Sequence, residues 1–539
     1  MASVFIFYTI VFLVLLVLPA GLILTTLFFL EHERALWKRV GPFINPVRQK
    51  FGQSQLAVGI ETRFPRTMGF VVHRLDARDP WGLPATLAGM VMLVGLWFFL
   101  GVLQDIMARD PLFVLDLRLH NTVPIFRSAG MTRLTLVVTE LGGPAVLLLL
   151  CLGAALLALA NSRRRLAITF TLALAGTALL SVGFKMLIGH ARPVDALLSM
   201  RDASFPSGHM LSGTVVYGLL AALLMGSSAR RGVRALGVSL LLIVIVGIGL
   251  SRLYLGVHWP SDLLGSLGLA LMMLSALLFF LHFEQPLGWI DTFRLPASSA
   301  VLRVAGVGTL VAALAAVTLL SDPSKIITVA ADTARKSIDM AQLRSELPPD
   351  LARWSEDLLG GRMEPISLVL VGSQGDILNT FRQAGWVLAD PPTPIRVLTE
   401  GLAALRNLPD PAGPATPSYF MDQPQTLTFE KPDSDSPGIR RRHHTRLWKT
   451  PYCLAPTCRQ LWVGTASFDV GMAFSQRLHL PTHRIDSALD LERALIADEL
   501  VLAGAKGEGY VTVSPPSRGN NAAGDPFWTD GHAVILVMP

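Results

Sequence analysis

The amino-acid sequence predicts an all-α polytopic membrane protein that continues into a soluble C-terminal α+β domain. Hydrophobic residues make up 51% of the 539-residue chain, charged residues only 16%, and the mean hydropathy is +0.50. A soluble globular protein carries about 25% charged residues, so most of this chain is not suited to water. The long apolar segments end near residue 320, and the mixed composition beyond that point predicts a domain outside the membrane.

Basic residues give the chain a formal net charge of +7, and they cluster between apolar segments. Such clusters are typical of the cytoplasmic loops of membrane proteins. A groove for single-stranded nucleic acid would instead need basic residues interleaved with exposed aromatic residues, and the sequence has no such run. The charge pattern therefore predicts a lipid bilayer as a partner and no nucleic acid.

Membrane spans are predicted from apolar runs of about 18 residues or more. Eight such runs lie at about 3–30, 82–107, 132–160, 165–188, 207–226, 235–256, 261–283 and 301–320. The first run lacks a basic start and is too long for a signal peptide. It therefore predicts an anchor whose N-terminus lies outside.

The orientation of the spans follows from basic clusters in residues 31–80, 163–165 and 230–234. All three clusters fall on one side if eight spans alternate, and the positive-inside rule makes that side cytoplasmic. In a bacterial inner membrane the opposite side is the periplasm. That side is then predicted to contain the links at 104–131, 189–206 and 257–260 and everything after residue 320.

The link after the second predicted span contains a stretch of unusual composition, residues 109–127. Leu and Phe are mixed there with Asp116, Arg118 and His120. This mixture predicts an interfacial segment that lies along the outer membrane surface. A plain loop is an equally good interpretation.

Three outward-facing pieces hold nearly all the polar residues of the membrane part: KMLIGHARP at 185–193, FPSGHM at 205–210 and SRLYLGVHWPSD at 251–262. They supply the cations Lys185, Arg192 and Arg252. The planar guanidinium of Arg can donate two parallel hydrogen bonds to phosphate oxygens, and the ammonium of Lys adds a localised positive charge. The backbone N–H groups of Ser207 and Gly208 begin a predicted helix, where anions bind readily. The pattern therefore predicts a site for a tetrahedral dianion.

Two histidines complete this predicted site. His258 and Asp262 are four residues apart, so on a helix the carboxylate can hold the imidazole that attacks phosphorus. His209 can then protonate the leaving oxygen and deprotonate the attacking water. The carboxylates of this face show no metal-ligand spacing, so no metal and no other cofactor are predicted. His190 is assigned no role, because the chemistry already has two imidazoles.

These motifs resemble those of the type-2 phosphatidic acid phosphatase superfamily of integral membrane lipid phosphatases. The matching residues are Lys185 to Pro193, Pro206 to His209, and Ser251-Arg252 followed by His258 and Asp262, in the family's order and spacing. The resemblance covers roughly residues 80–285 and implies a six-helix phosphatase core with flanking spans.

The resemblance also implies the role of each motif residue. It implies His258 as nucleophile, Asp262 as the residue that orients it, and His209 as acid/base. It implies that the substrate phosphate is contacted by Lys185, Arg192, Ser207, Gly208 and Arg252. The predicted domains are a membrane anchor with a basic cytoplasmic segment (1–80), a six-span lipid phosphatase (81–285), an eighth span and linker (286–339) and a soluble domain (340–539).

The soluble domain is predicted to be α+β. SLVLVG and HAVILVMP have the apolar pattern of strands, and LDLERALIADELVLAG has helical periodicity. The region resembles the LssY carboxy-terminal domain in GSQGDILNTFRQAGWVLAD, RRHHTRLW, WVGTASFDVG, THRIDSALDLERALIADEL and GNNAAGDPFWTDG. The resemblance implies no mechanism for this domain.

Polar residues of the soluble domain have two interpretations. They are His443, His444, Arg446, Asp469, His483, Arg484 and Asp486. These side chains either line a pocket for an anionic or sugar-bearing envelope ligand, or form solvated surface and satisfied internal pairs. A metal site is disfavoured, because the histidines share no ligand spacing.

The predicted function is hydrolysis of a phosphomonoester or pyrophosphate group on a lipid, through a phosphohistidine, at the outer face of a bacterial cytoplasmic membrane. Phosphatidic acid, phosphatidylglycerol phosphate and undecaprenyl pyrophosphate are the candidate substrates. Two alternatives stay open. One is a phosphotransferase that passes the phosphoryl group to another lipid, and the other is a non-catalytic membrane scaffold whose C-terminal domain binds envelope components.

The cysteines predict a disulfide in the soluble domain. The chain has three Cys: Cys151 lies inside a predicted span, and Cys453 and Cys458 lie in PYCLAPTCRQ. If this segment faces an oxidising compartment, the pair is expected to be oxidised. Two buried reduced thiols, or half of a metal site, are the rival interpretations.

Overall fold

The computed structural model describes residues 62–75, 81–108, 111–282, 300–326, 335–390, 412–433, 440–474 and 481–539, with isolated residues between these ranges. The predicted span at 3–30 lies outside the described residues. The described chain divides into two compact units. One is helical and apolar, and the other contains the strands.

Helices dominate the apolar part, because a backbone surrounded by lipid must pair its own N–H and C=O groups. The described α-helices up to residue 320 are α1 (Pro65–Arg74), α2 (Leu83–Ala108), α3 (Pro111–Thr122), α4 (Ala129–Leu141), α5 (Pro144–Ala160), α6 (Arg164–Ile188), α7 (Gly208–Met225), α8 (Arg231–Tyr254), α9 (Pro260–His282) and α10 (Ala300–Leu320). All of them except α3 belong to the apolar unit. Within the described chain, α2 and α6–α10 are long and apolar enough to cross a membrane. They match the predicted spans at these positions.

The predicted span at 132–160 is not one continuous helix. It consists of α4 and α5, which meet at an angle of 42°. The break falls at Gly142, Gly143 and Pro144, with Pro144 in the first turn of α5. Proline has no N–H to continue a helix and its ring clashes with the preceding turn, so the apolar run bends there. The pair still provides enough length for one bent span.

The helices of the apolar unit pack closely where small residues meet. Gly95 of α2 and Gly268 of α9 face each other, and a Cβ atom on Gly95 would lie 2.8 Å from the carbonyl oxygen of Gly268. Small residues allow membrane helices to approach at this distance. Gly153 of α5 and Gly306 of α10 repeat the arrangement. The last described span, α10, is therefore packed directly against the bent pair.

The stretch at 109–127 packs against the strand-containing unit. Its described residues form α3 and a 3₁₀ turn at Val123–Phe126, and they belong to the compact unit that contains the strands. The Arg118 side chain is buried there; its Nε donates to Asp422 at 2.9 Å, and its guanidinium also pairs with Glu356. Arg118, one of the residues that suggested a membrane surface, is thus held in internal ion pairs of this unit.

The remainder of this unit consists mainly of strands. They are β1 (Lys336–Ile338), β2 (Trp354–Glu356), β3 (Arg362–Pro365), β4 (Leu368–Val371), β5 (Val387–Leu388), β6 (Tyr419–Phe420), β7 (Gln423–Pro424), β8 (Leu427–Pro432), β9 (Arg442–Leu454), β10 (Arg459–Phe474), β11 (Pro481–Ile485), β12 (Lys506–Thr512), β13 (Ser517–Asn520), β14 (Pro526–Thr529) and β15 (His532–Val537). The helices are α11 (Met340–Ser345), α12 (Gln374–Gln383) and α13 (Leu489–Leu502).

The described strands form a nine-stranded main sheet in the order β12-β15-β4-β10-β9-β8-β5, with β1 beside β9 and β11 beside β10. Successive side chains of a strand point to opposite faces. Trp462 therefore joins one apolar core with Phe381 of α12, whereas its neighbour Val463 joins a second core with Leu343 of α11. Helices cover a central sheet, and the predicted membrane protein with a C-terminal α+β domain is confirmed.

The hairpin between β9 and β10 is closed by a disulfide. Cys453 and Cys458 are bonded, with their Cα atoms 4.7 Å apart. Cys453 is buried, and Cys151 is the free cysteine of the described residues.

Thiol labelling is expected to detect this bond in the native membrane. In denatured protein from intact membranes, we expect Cys151 alone to react before reduction, and Cys453 and Cys458 to react only after it. Mass spectrometry of the labelled peptides gives the measurement, and Cys151 serves as the internal control. Free thiols at both Cys453 and Cys458 would indicate a reducing compartment, and would reverse the predicted orientation of the chain.

Candidate active site

The predicted site residues lie at one end of the apolar helix bundle. Lys185 is in the last turn of α6, and Gly189, with a φ of +63°, ends that helix in the left-handed conformation that glycine favours. The link that follows leads to Ser207, which precedes the first turn of α7. A second, short link joins the end of α8 to the start of α9. Both links lie at the same end, because α6 and α8 end where α7 and α9 begin.

His258 and Asp262 form a buried pair. Nδ1 of His258 lies 3.1 Å from Oδ2 of Asp262, and both residues are almost completely buried. The carboxylate can only accept, so we assign the imidazole proton to Nδ1. The other nitrogen, Nε2, is then unprotonated and lies 3.3 Å from Nη1 of Arg192. The unprotonated nitrogen of this tautomer thus faces one of the predicted phosphate-binding residues.

Burial keeps the His258 imidazole neutral. It lowers the pKa of His258 to about 4, although the hydrogen bond and the charge of Asp262 act in the opposite direction. At neutral pH the residue therefore carries a free lone pair. A neutral imidazole is the form that can attack phosphorus.

His190 also belongs to this cluster, although the sequence analysis assigned it no role. Its Nδ1 lies 3.1 Å from Oδ1 of Asp262 and 3.1 Å from the Ser204 hydroxyl. The backbone N–H of Trp259 donates to Oδ2 at 2.9 Å. Asp262 is therefore held through both carboxylate oxygens, and its orientation toward His258 is fixed. The only sequence signal for His190 was its position inside the first motif.

The two cations of the first motif are paired with a carboxylate of their own chain. Asp202, in the link between α6 and α7, accepts a hydrogen bond from Lys185 and a second from Nη2 of Arg192 at 2.9 Å. Arg192 also donates to the carbonyl oxygens of Asp202 and Val257. No role was predicted for Asp202 from the sequence, yet this residue occupies two of the predicted phosphate contacts, Lys185 and Arg192.

Asp202 is ionised in this arrangement. Burial alone would raise its pKa, but the Lys185 hydrogen bond and the charge of Arg192 outweigh that effect and lower the pKa to about 2. More than half of the Asp202 side chain remains exposed. Asp202 is thus an anion bound to Lys185 and Arg192, and an anion from solvent can take its place.

Arg252 and Ser207 contribute buried donors with incomplete hydrogen bonding. Nη1 of Arg252 donates to Thr139 at 2.9 Å. Within the described residues, Nε and Nη2 of Arg252 and the hydroxyl of Ser207 are buried without a hydrogen-bond partner. Buried polar groups are nearly always paired in native proteins. Oxygens of a bound anion are the natural acceptors for such donors.

His209 lies in the first turn of α7, beside these groups. Its environment includes the positive charges of Lys185, Arg192 and Arg252 and the imidazole of His258. The neighbouring Gly208 approaches Ser181 of α6 so closely that a Cβ atom would lie 3.1 Å from its hydroxyl oxygen. The structure therefore brings every predicted site residue of the membrane part to one end of the bundle. Among the described residues, His, Cys, Asp and Glu form no cluster suited to a metal ion.

The predicted polar residues of the C-terminal domain separate into three environments. His444, Arg446, Asp469 and His483 line one pocket. His443 and Asp486 instead line a second pocket, where His443 lies 2.9 Å from Glu492. Arg484 is exposed. The sequence grouped these residues correctly only in part, because neighbours on a strand point to opposite faces.

Comparisons with known proteins agree with this architecture. Residues 166–285 match the model of the PAP2 superfamily, and residues 347–533 match that of the LssY C-terminus. The chain therefore contains one segment that is similar to the PAP2 superfamily and a second that is similar to the LssY C-terminus, and both predicted resemblances are confirmed. All predicted membrane site residues, Lys185 to Asp262, fall inside the first match.

Two curated proteins are similar to the membrane domain. One is a putative undecaprenyl-diphosphatase, YbjG, of Escherichia coli (strain K12), 38% identical over 113 residues, which are 20% of this chain and 52% of that protein. The other is phosphatidylglycerophosphatase B of Bacillus subtilis (strain 168), 34% identical over 97 residues, 18% of this chain and 48% of that protein. The chain thus spans about half the length of each relative.

A solved structure is also similar. It is the crystal structure of the first transmembrane PAP2 type phosphatidylglycerolphosphate phosphatase from Bacillus subtilis, with 22% sequence identity and a TM-score of 0.32. The match covers 37% of this chain and 97% of that one.

Proposed function

We propose that the protein is a membrane phosphatase that removes a phosphomonoester or pyrophosphate phosphate from a lipid through a phosphohistidine. The observation that carries the proposal is the buried His258, held by Asp262 through Nδ1 and facing Arg192 with Nε2. An imidazole fixed in this way has its lone pair directed toward an anion-binding group. This arrangement is what nucleophilic attack on a phosphate requires.

The proposed reaction has two steps. In the first, Nε2 of His258 attacks phosphorus in line, the P–N bond forms, the P–O bond to the lipid breaks, and His209 donates a proton to the leaving oxygen. In the second, His209 removes a proton from water, the water oxygen attacks phosphorus, and the P–N bond breaks. Orthophosphate leaves, and His258 returns to its neutral form.

Cations near the nucleophile support both steps. Lys185, Arg192 and Arg252 neutralise the phosphate oxygens, and the preorganised donors require no reorganisation during the reaction. A substrate phosphate carries two negative charges and replaces the single charge of Asp202 on Lys185 and Arg192. The Ser207 hydroxyl and the free N–H groups of Arg252 then gain acceptors.

The candidate substrates are lipids with a terminal phosphate. The relatives are named for undecaprenyl diphosphate and phosphatidylglycerophosphate. We extend these two classes, together with phosphatidic acid, to this chain. The proposed orientation puts the site and the C-terminal domain on the periplasmic side of a bacterial inner membrane, on the strength of the basic links and the Cys453–Cys458 bond.

A lipid panel tests this function. We expect purified full-length protein in detergent to release orthophosphate from at least one of the three lipids, to keep its activity in EDTA and to lose it with vanadate, which resembles the transition state. Mass spectrometry of the lipids detects phosphate moved to another lipid rather than to water. Absence of release from every lipid, or loss in EDTA that a divalent ion restores, would contradict the proposal.

Replacement of Asp202 by asparagine is expected to strengthen anion binding. The neutral amide no longer competes for Lys185 and Arg192, so vanadate should inhibit at roughly tenfold lower concentration, the scale of one charge-assisted hydrogen bond. Inhibition curves for vanadate and orthophosphate provide the measurement. Asp202→Glu keeps the charge and is the matched control. Unchanged or weaker inhibition in Asp202→Asn would show that Asp202 does not compete with the substrate anion.

A further inference from the structure

The first described helix, α1, has an apolar side and a basic side. Phe64, Met68 and Leu75 are separated by four and seven residues, so they share one side of a helix with 3.6 residues per turn. Arg66 and His73 are seven residues apart and lie on the opposite side. Such a division is typical of a helix that contacts two different environments.

Large apolar side chains of this segment are exposed in the described structure. Phe64 and Leu75, which adjoin the two ends of α1, are 54% and 59% exposed. Phe70 is 58% exposed and lies nearer the basic side, where the Arg74 guanidinium covers its ring at 5.0 Å from the ring centre. Neighbouring apolar residues with this exposure indicate a contact with something outside the described chain.

Positive charge exceeds negative charge on α1. The helix contains no Asp or Glu. Arg63 and Arg66 are exposed, and among the described residues they form no ion pair. The carboxylate of Asp79 lies 3.3 Å from Nδ1 of His73. The two arginines therefore offer unmatched positive charge beside the apolar side.

The last turn of α1 is attached to the start of α2. Nη1 of Arg74 donates to the carbonyl oxygen of Trp81 at 2.9 Å, and the Thr86 hydroxyl donates to the carbonyl oxygen of Arg74 at 2.9 Å. Trp81 in turn packs edge-on against Phe279, in the last turn of α9. The candidate active site lies at the start of α9, so α1 is attached to the opposite end of the helix bundle.

Other basic residues lie at this same end. The helices α6 and α8 begin there, because both of them end at the candidate site. Arg165, in the first turn of α6, lies over the ring of Phe280 at 5.6 Å, next to Phe279. The basic residues at the two helix starts are Arg163, Arg164, Arg165, Arg230, Arg231 and Arg234. A concentration of arginine at one end of a membrane bundle attracts negatively charged lipid headgroups.

The length of α1 limits where its apolar side can be covered. Ten residues form a helix about 15 Å long. If α1 extended away from the membrane, Phe64 would be held in water roughly that far from the start of α2. If α1 lies along the membrane surface, its apolar side reaches the acyl chains and its basic side stays among the headgroups.

We propose that α1 lies in the headgroup layer of the membrane and binds negatively charged lipids through Arg63 and Arg66. Phe64, Met68 and Leu75 contact the acyl chains, and the two arginines contact lipid phosphates. The bilayer is the occupant because α2 is itself long and apolar enough to cross a membrane, so the lipid around α2 continues to α1. This contact is with the leaflet opposite the candidate active site and does not depend on the phosphatase reaction.

Spin labels on the full-length protein in lipid vesicles test this placement. The change Cys151→Ala removes the free thiol of the described residues, and the Cys453–Cys458 bond stays oxidised, so one introduced cysteine carries the label. The labels at Met68→Cys and His73→Cys are compared in mixed vesicles of phosphatidylcholine and phosphatidylglycerol. The first label should collide mainly with oxygen dissolved in the lipid, and the second mainly with a nickel chelate dissolved in water.

The dependence on charge tests the class of lipid. In the Met68→Cys protein, the ratio of lipid-immersed to water-exposed label should fall when phosphatidylglycerol is omitted. Replacing Arg63 and Arg66 with glutamine should lower that ratio in the mixed vesicles by about fivefold for each arginine. The matched control replaces Arg335 and Arg382 with glutamine, two exposed residues of the strand-containing unit, and should leave the ratio unchanged.

Three outcomes would overturn the proposal. Equal access of the nickel chelate to both labelled positions would place α1 in water. Immersion that responds neither to phosphatidylglycerol nor to the loss of Arg63 and Arg66 would remove negatively charged lipids as the partner. Dipolar broadening of the Met68→Cys spectrum that unlabelled protein relieves would assign the apolar side to a second copy of the chain. None of these measurements requires phosphate release, so they are independent of the proposed phosphatase.

Discussion

Replacing His258 with alanine is expected to abolish release of orthophosphate from lipid substrates. In the proposed mechanism the change deletes the nitrogen that forms the P–N bond. Asp262 and Arg192 orient the His258 imidazole, and they would not hold a water molecule in its place for in-line attack. Removal of the nucleophile in triad enzymes reduces turnover on the order of 10⁶-fold. Release of labelled phosphate by purified wild type and variant, at equal amounts of folded protein, gives the measurement.

A trapped phosphoenzyme identifies the nucleophile independently. In the wild type, brief reaction followed by alkaline denaturation should retain a label that acid removes, because a phosphoramidate is labile to acid and resistant to base. The His258→Ala protein should retain none. An acid-stable phosphoester on Ser207, or wild-type turnover in His258→Ala, would reverse the assignment of nucleophile and phosphate contact.

Replacing Asp262 with asparagine is expected to reduce turnover by about 10⁴-fold, the scale known for the equivalent change in a triad. The amide offers one acceptor oxygen, whereas the carboxylate serves His258, His190 and Trp259 through two. The amide NH₂ favours the wrong imidazole tautomer, in which Nε2 carries the proton and cannot attack. The rate constant of phosphoryl transfer to the enzyme, from single-turnover kinetics, is the direct measurement.

His190→Gln is the matched control for Asp262→Asn. Glutamine can still donate to Asp262, and the pair of Asp262 with His258 is untouched, so we expect a far smaller loss. Stability of the two variants should be compared by thermal unfolding. Equal losses in both variants at equal stability would mean that the whole hydrogen-bonded cluster, rather than the tautomer of His258, limits the rate.

The membrane spans and the motif residues were predictable because their signals are local. Apolar runs identify spans from composition alone, and His258 and Asp262 are separated by one helical turn. The bend between α4 and α5 was also present in the sequence, as Gly142, Gly143 and Pro144. It was missed because the apolar composition continues on both sides of these residues.

Contacts between distant residues explain what could not be predicted. His190 belongs to the site because it contacts Asp262, which follows 72 residues later in the sequence. Asp202 is linked to Lys185 only because the link between α6 and α7 folds back over the end of the bundle. In the C-terminal domain, the segment RRHHTRLW suggested a pocket, but Glu364 and Glu430 come from other strands. That these two carboxylates pair with Arg446 and Arg442 depends on the order and register of the strands in the sheet.

The burial of α3 in the C-terminal domain has a consequence for biosynthesis. The ribosome produces Arg118 early, between two spans, yet its partners Glu356 and Asp422 emerge 238 and 304 residues later. Before they emerge, a buried cation of the finished domain has neither of its carboxylate partners. The domain therefore completes its folding only after most of the polypeptide has been made, and a fragment that begins after the last described span lacks α3 and its buried Arg118.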